Sequence, residues 1–456
     1  MTHLFASQAL LPYGWANNVL VEISADGTIG NVTSASQPVA NSRNVGILIP
    51  APVNVHSHAF QRAMAGLTER RGPDPSDSFW TWRQLMFRFL DRLTPDHVEA
   101  IAAFVQMEML EAGYATNVEF HYLHHQPGGH PYENLSEMAD RIVAATAQTG
   151  IGLTLLPVHY QYGGCDEREL GPGQNRFGND VERYTTLFEG ARKSLGHLPL
   201  DSQMGIAPHS LRAVSRESLP ELVALGRDQP FHMHLAEQIA EVEEVQAAWG
   251  KRPVEWLLDS IDVKENWCLI HCTQMLPHET IGLAKTKAIA GLCPITESSL
   301  GDGIFDGVRW LENGGRLAIG SDSNIRISLA EELRTLDYSQ RLRDHSRAAL
   351  ATPDKSTGRR LFDEILHGGA QAAGRNCGRI APGTLADLMV LDKTAVDLDG
   401  RRGDTILDSL IFAGSDQMIT DVWSAGRHVV KEGQHIDHAA IVERYRRALR
   451  DLGDEI

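Results

Sequence analysis

Residues 52–58 read Pro-Val-Asn-Val-His-Ser-His, a short apolar run that closes on two histidines one residue apart. Successive side chains on a strand alternate faces, so a strand here points His56 and His58 the same way, where both can grip one metal ion. Two such histidines also arise as ordinary polar residues at a strand end. The rest of the chain decides between the two.

Seven further runs of the same kind come after it. They are ATNVEFH to His121, IGLTLLPVH to His159, MGIAPH to His209, FHMHLAE to Glu237, NWCLIH to His271, AIAGLC to Cys293 and GRLAIGSD to Asp322. Amphipathic stretches separate them. Thr94-Pro95 starts one predicted helix that stops at Gly113, and Ser136 caps another that stops at Gly150. This strand–helix rhythm predicts an α/β fold, a (β/α)₈ TIM-type barrel whose chemistry gathers at the carboxyl ends of the strands. A doubly wound open sheet would more typically carry a glycine-rich phosphate loop after its first strand, where this chain has His-Ser-His.

The chain ends read differently. NNVLVEISADGTIGNV alternates around an Asp26-Gly27 turn, and ADLMVLD and DVWSAGRHVVKEG are strand-like. These segments predict a small composite β-sandwich domain, with 1–50 and 378–456 flanking a barrel of 51–377. The last segment, VERYRRALRDL, reads as a surface helix.

A chain of 456 residues, 42% apolar and 22% charged, fits a globular protein with one large domain and a smaller companion. The formal charge of -17 argues against nucleic acid or an anionic membrane surface as the main partner, leaving a small molecule. It does not exclude an anionic substrate, because pocket arginines act locally while surface charge is screened within roughly 8–10 Å. Five scattered cysteines without a CxxC pair indicate neither a disulfide framework nor a thiolate zinc site and fit a reducing cytoplasm. The start, MTHLFASQALLPYGW, lacks the pattern of a secretion signal, and no stretch approaches the roughly 20 apolar residues of a membrane span. A homodimer is expected from the fold type.

The fifth run repeats the theme of the first. His232 and His234 share a face, with His234 the ligand candidate and His232 a packing residue, and Glu237 comes three residues later, placed to carry a proton. His271 and Asp322 end the sixth and eighth runs. An aspartate after apolar or small residues is costly unless a metal or hydrogen bonds satisfy it; an Asx turn through Ser323 and Asn324 is the plainer alternative. His56, His58, His234 and Asp322 together suit one divalent ion, zinc, with iron or manganese as alternatives, and water at an open position. His271 and Asp322 are then the candidates to take a proton from that water.

HxH at the first strand, HxxE after the fifth, His after the sixth and Asp after the eighth resemble the amidohydrolase superfamily over nearly the whole chain. Neither the second nor the fifth run carries a lysine of the kind that bridges two metals, which points to the one-metal deaminase branch. Within it, NVHSHAFQRAMAGLTE, DSFWTWRQLMFRF, VEFHYLHH, IAPHSLRAV and HMHLAEQIAEVEE resemble the formimidoylglutamate deiminases. That resemblance implies replacement of an imino nitrogen by water at an amidine carbon, releasing ammonia. It also implies substrate contacts from Gln61, Arg83, Tyr122, His209 and Arg212. Arginine forks suit the carboxylates of a glutamyl group. As plainer alternatives, Arg83 stacks on Trp80 or Trp82, and Gln61 and Tyr122 simply pack. Competing with this reading are an aminohydrolase of nucleobases with the same metal chemistry and a barrel kept as a non-catalytic scaffold.

Overall fold

The computed structural model of the chain describes residues 1–69 and 79–453. All eight predicted runs form parallel barrel strands: Val53–Ser57, Thr116–His121, Gly152–His159, a fourth broken into Gln203–Met204 and Ala207–Pro208, Phe231–Leu235, Trp267–His271, Ile289–Leu292 and Arg316–Ile319. The first four pair in sequence, as do the last four. Bridges Ile206–Phe231 and Ser57–Asp322 join the two arcs and close the barrel. Almost every strand residue is buried, as strands enclosed by helices outside and packed side chains inside require.

Helices between the strands keep the expected punctuation. Thr94 caps Pro95–Glu111 by accepting from His97 N at 3.3 Å, and Gly113 comes after it at φ 96°. Gly150, at φ 71°, ends Glu137–Thr149. Ser136 sits at that helix's N-cap position, but its hydroxyl makes no cap. Its N and Oγ both donate to Asn134 Oδ1, at 3.2 and 3.0 Å, so an Asx-type turn replaces the expected cap.

Strands from both chain ends form one eight-stranded sheet. Arg43–Pro50 lies between Thr2–Leu11 and Leu388–Leu391, parallel to the first and antiparallel to the second. The hairpin at Asp26-Gly27 pairs Gly14–Ile23 with Ile29–Thr33. A Thr28–Leu385 bridge brings its turn back against the chain leading into Leu388–Leu391, so the sheet curls around a core of its own, including Leu4, Val21, Leu388 and Trp423. Ile49, Met389 and Val422 of the same sheet join the barrel core instead. The last helix, His438–Leu452, stacks Tyr445 on Phe104 at 3.9 Å between ring centroids. Among the described residues, no helix is long and apolar enough to cross a membrane.

Candidate active site

Four of the proposed ligands converge where the barrel seam closes. Ligand atoms of His56, His58, His234 and Asp322 all lie within 4.8 Å of one another, and all four residues are buried. His56 Nε2 stands 3.1 Å from His234 Nε2 and 3.5 Å from Asp322 Oδ1, which is 3.2 Å from His58 Nε2. Tetrahedral ligands about 2.0–2.1 Å from a zinc ion stand roughly 3.3 Å apart, so these separations fit the edges of one coordination shell. His58 Nδ1 and His234 Nδ1 meet the carbonyls of Phe120 and His209, at 3.0 and 2.9 Å. Each must donate there, so its Nε2 lone pair faces the cluster. Burial is also the main reason the His56 pKa is lowered to about 3 and that of His234 falls well below the usual value; His58 is lowered too. Neutral imidazoles are the ligand form.

The seam positions the ligands through residues that the sequence pattern did not single out. Asn54 Oδ1 accepts from His56 N at 3.3 Å and Ser321 N at 3.1 Å, and Asn54 Nδ2 donates to Ser321 Oγ at 2.6 Å. Ser321 Oγ passes a hydrogen bond to Asn324 Oδ1 at 2.6 Å, and Asn324 Nδ2 donates to Ser57 Oγ at 3.2 Å. Across the same seam, the amides of His58 and Asp322 donate to the carbonyls of Asp322 and His56, both at 2.9 Å. A Cβ on Gly320 would lie 2.7–2.9 Å from His56 atoms, so only glycine permits this approach. His271 and Asp322 hold left-handed φ values of 72° and 47° at their strand ends, a strained conformation for residues with side chains.

Around the cluster lies a cavity lined by His58, Gln61, Arg83, Tyr122, His209, Arg212, His234, Glu237, His271 and Asp322. Every sequence-predicted site residue is therefore at its wall except His56, which is fully buried beneath it. His232 turns away, its Nε2 meeting Ala372 O at 2.8 Å. Trp82, Met86, Tyr160, Phe177, Leu300 and Ser323 complete the wall. Tyr160, Phe177 and Ser323 come from loops and Trp82, Met86 and Leu300 from two helices, so the pattern that exposed the strand ends did not reach them. The Trp80 side chain, and residues 77–78 of DSFWTWRQLMFRF, lie outside the described set.

Glu237 Oε1 stands 3.9 Å from His271 Nε2, and Glu237 Oε2 stands 3.7 Å from Arg212 Nη2. Glu241 holds the turn by accepting from Ala236 N and Glu237 N, at 3.1 and 2.9 Å. Burial raises the Glu237 pKa despite the opposing pull of His271 and Arg212. His271 Nδ1 meets Glu297 Oε1 at 3.2 Å, which leaves Nε2 3.8 Å from Asp322 Oδ2. Burial disfavours its charged form, but Glu237, the Glu297 bond and Asp322 outweigh that and raise its pKa to about 10. Asp322 is itself held well below the usual range, because hydrogen bonding and charge from the histidines overcome its burial. His271, Cys293 and Glu297 form a second tight group. Cys293 N donates to Glu297 Oε1 at 2.8 Å, and burial pushes the Cys293 thiol well above its usual value, so this group reads as hydrogen-bonded support for His271.

On the substrate side, Gln61 Nε2 donates to Tyr122 OH at 2.7 Å, and Arg83 Nη2 donates to Tyr160 OH at 2.8 Å. Arg83 lies over Phe87, with Cζ 5.1 Å from the ring centroid. Arg212 is 6% exposed at the cavity wall.

Residues 47–429 match the Amidohydrolase family, and residues 1–44 match the N-terminal domain of formimidoylglutamate deiminase HutF. The chain is 45% identical over 459 residues, covering 100% of both chains, to formimidoylglutamate deiminase of Pseudomonas aeruginosa. The crystal structure of an amidohydrolase from Brucella melitensis superposes with a TM-score of 0.94 at 46% identity, covering 99% of this chain and 100% of that one. An adenosine deaminase from Xanthomonas campestris, solved with bound zinc, shares the fold with a TM-score of 0.82 at 22% identity, over 99% and 98% of the two chains.

Proposed function

The chain belongs to the amidohydrolase family, and from that premise we propose that it hydrolyses N-formimidoyl-L-glutamate to N-formyl-L-glutamate and ammonia. One observation carries the reading. A three-histidine, one-aspartate cluster sits at the floor of a single cavity whose wall also carries a buried acid, a carboxylate-held histidine and two arginines. Full-length 45% identity to a formimidoylglutamate deiminase supports the same substrate over a nucleobase.

His56, His58, His234 and Asp322 would hold one divalent ion, zinc in this proposal. Such an ion lowers the pKa of a bound water from about 15.7 toward about 7, supplying a nucleophile at neutral pH. The remaining work falls to side chains. His271, oriented by Glu297, would with Asp322 be the acceptor for the proton of the incoming water. Glu237, whose hold on a proton burial strengthens, delivers one to the departing nitrogen so that it leaves as ammonia. Arg83 and Arg212 take the two carboxylates, while Gln61, Tyr122 and His209 orient the amidine.

The barrel of 51–377 carries this chemistry, with 1–50 and 378–456 as its flanking support. A cytoplasmic enzyme acting as a homodimer completes the proposal; five free, buried cysteines suit a reducing compartment. Ammonia release is the test. Turnover of formimidoylglutamate with none of guanine or cytosine is expected, and the reverse result would overturn the assignment.

A further inference from the structure

Tyr160 stands just past the third barrel strand and is 3% exposed at the wall of the cavity. Its phenol oxygen stands 2.8 Å from Arg83 Nη2 and 2.8 Å from Gln174 Nε2. Arginine has only donors. The Gln174 amide is fixed in orientation because its Oε1 accepts from Gly171 N at 2.9 Å, which leaves Nε2 facing the phenol as a donor. Both neighbours therefore donate, and the phenol oxygen accepts twice. Its single proton has no acceptor among the described residues. A buried hydroxyl with both lone pairs engaged and its proton unspent is set to donate to something that enters the cavity.

The position of Tyr160 narrows what that something is. Its ring packs on His209 at 4.6 Å between centroids, and His209 packs on the ligand candidate His234 at 4.8 Å. Tyr160 thus stands one ring beyond the cluster, whereas Arg212 reaches Glu237 directly. In formimidoylglutamate the α-carboxylate carbon is two bonds from the amidine nitrogen and the side-chain carboxylate carbon is four. Arg212 is therefore placed for the near carboxylate, and the Arg83–Tyr160 pair for the far one.

We propose that Tyr160 is a specificity-determining residue: with Arg83 it forms a two-donor seat for the side-chain carboxylate, and Gln174 sets its hydroxyl for that role. This rests on the functional reading above and adds a residue to it. A chain lacking the far carboxylate would leave the seat empty and its donors unpaired, so the arrangement selects for acidic amidines by length as well as by charge.

The test compares wild type with Tyr160→Phe on two substrates, N-formimidoyl-L-glutamate and N-formimidoyl-L-2-aminobutyrate, which lacks only the far carboxylate. A hydrogen bond to a charged group is worth about 10- to 100-fold in affinity. The variant should lose that factor in kcat/KM toward the glutamate substrate, chiefly through KM, and lose less than about threefold toward the aminobutyrate. Calorimetric affinity for the product N-formyl-L-glutamate should fall by the same factor. Equal losses on both substrates would make Tyr160 only a strut beneath Arg83 and overturn the proposal, as would no loss on either. Wild-type enzyme that fails to turn over formimidoylglutamate while releasing ammonia from another amidine would instead overturn the functional reading, and this proposal with it.

Discussion

Removing the Asn54 side chain should weaken metal binding without touching a ligand. Asn54 is fully buried at the seam, and its amide makes three contacts, to His56 N, Ser321 N and Ser321 Oγ. Ser321 N keeps a second acceptor, His56 O at 3.0 Å, and Ser321 Oγ keeps Asn324 Oδ1 at 2.6 Å, so Asn54→Ala leaves one amide, His56 N, short of its side-chain acceptor rather than three groups. At about 1–3 kcal/mol for a buried group left unsatisfied, the loss of folding stability is about 1–3 kcal/mol. The same bonds set the spacing between His56 and Asp322, so the ligand cage loosens too. Mutating residues that orient metal ligands typically costs about 10- to 100-fold in metal affinity, and that is the loss expected here. Denaturant unfolding of the metal-free protein would give the first number, and zinc titration against a competing chelator the second. Asn324→Ala, which touches no ligand backbone, should show the same pattern to a smaller degree. A variant destabilised by about 1–3 kcal/mol that binds zinc within about threefold of wild type would refute the claim that the seam tunes the cage.

Glu237→Gln should retain metal, measured by elemental analysis, yet lose about 10²- to 10⁴-fold in turnover, whereas His56→Ala should lose both; full activity in either variant would break the assigned roles. Folding stability should fall with acid in a defined window. Burial lowers the pKa of His121 to about 3 and those of His159 and His232 to about 4, against 6.5 for the free side chain. Because the unfolded chain binds these protons first, the stabilisation is complete above pH 6.5 and drains as pH falls toward 4. Three such groups give a slope of up to about 4 kcal/mol per pH unit near pH 5, and urea unfolding that is flat between pH 7 and 5 would contradict it. Binding of N-formyl-L-glutamate should take up a proton at Glu237 as the product carboxylate engages Arg212, seen as a binding heat that depends on the ionisation enthalpy of the buffer; equal heats in all buffers would exclude that exchange.

What the sequence made legible was whatever is local and periodic. Eight apolar runs ending in polar residues announced the barrel, because a strand enclosed on both faces has to be apolar until it emerges at the site. His56 with His58, and His234 with Glu237, were visible because their spacing alone sets a shared face or a short reach. The seam was not, since Asn54 and Ser321 are 267 residues apart and only barrel closure brings them together. Glu297 shows the same limit: one helical turn past the seventh strand it looks like an ordinary first-turn acid, and its bond to His271 exists only in the folded barrel. Tyr160 and Phe177 belong to chain without strand or helix period, so nothing local distinguished them from packing residues. The strand Thr2–Leu11 was missed because THLFASQALL does not alternate cleanly.

In the proposed reaction the buried Arg212 would link substrate binding to proton supply. A guanidinium does not lose its charge in a protein, so burying one requires anionic company. In the open cavity part of that company is Glu237, 3.7 Å away, and Arg212 is among the groups that restrain the rise in the Glu237 pKa. A substrate carboxylate arriving at Arg212, as proposed, would offer a stronger partner and draw the guanidinium's field away from Glu237. Burial then acts on Glu237 with less opposition, together with the nearby carboxylates Glu241 and Asp322. Glu237 would therefore become a more willing holder of a proton at the moment a nitrogen that needs one is seated beside it. The surface charge of -17 plays little part in this exchange, because it is settled between groups a few ångströms apart where water is excluded.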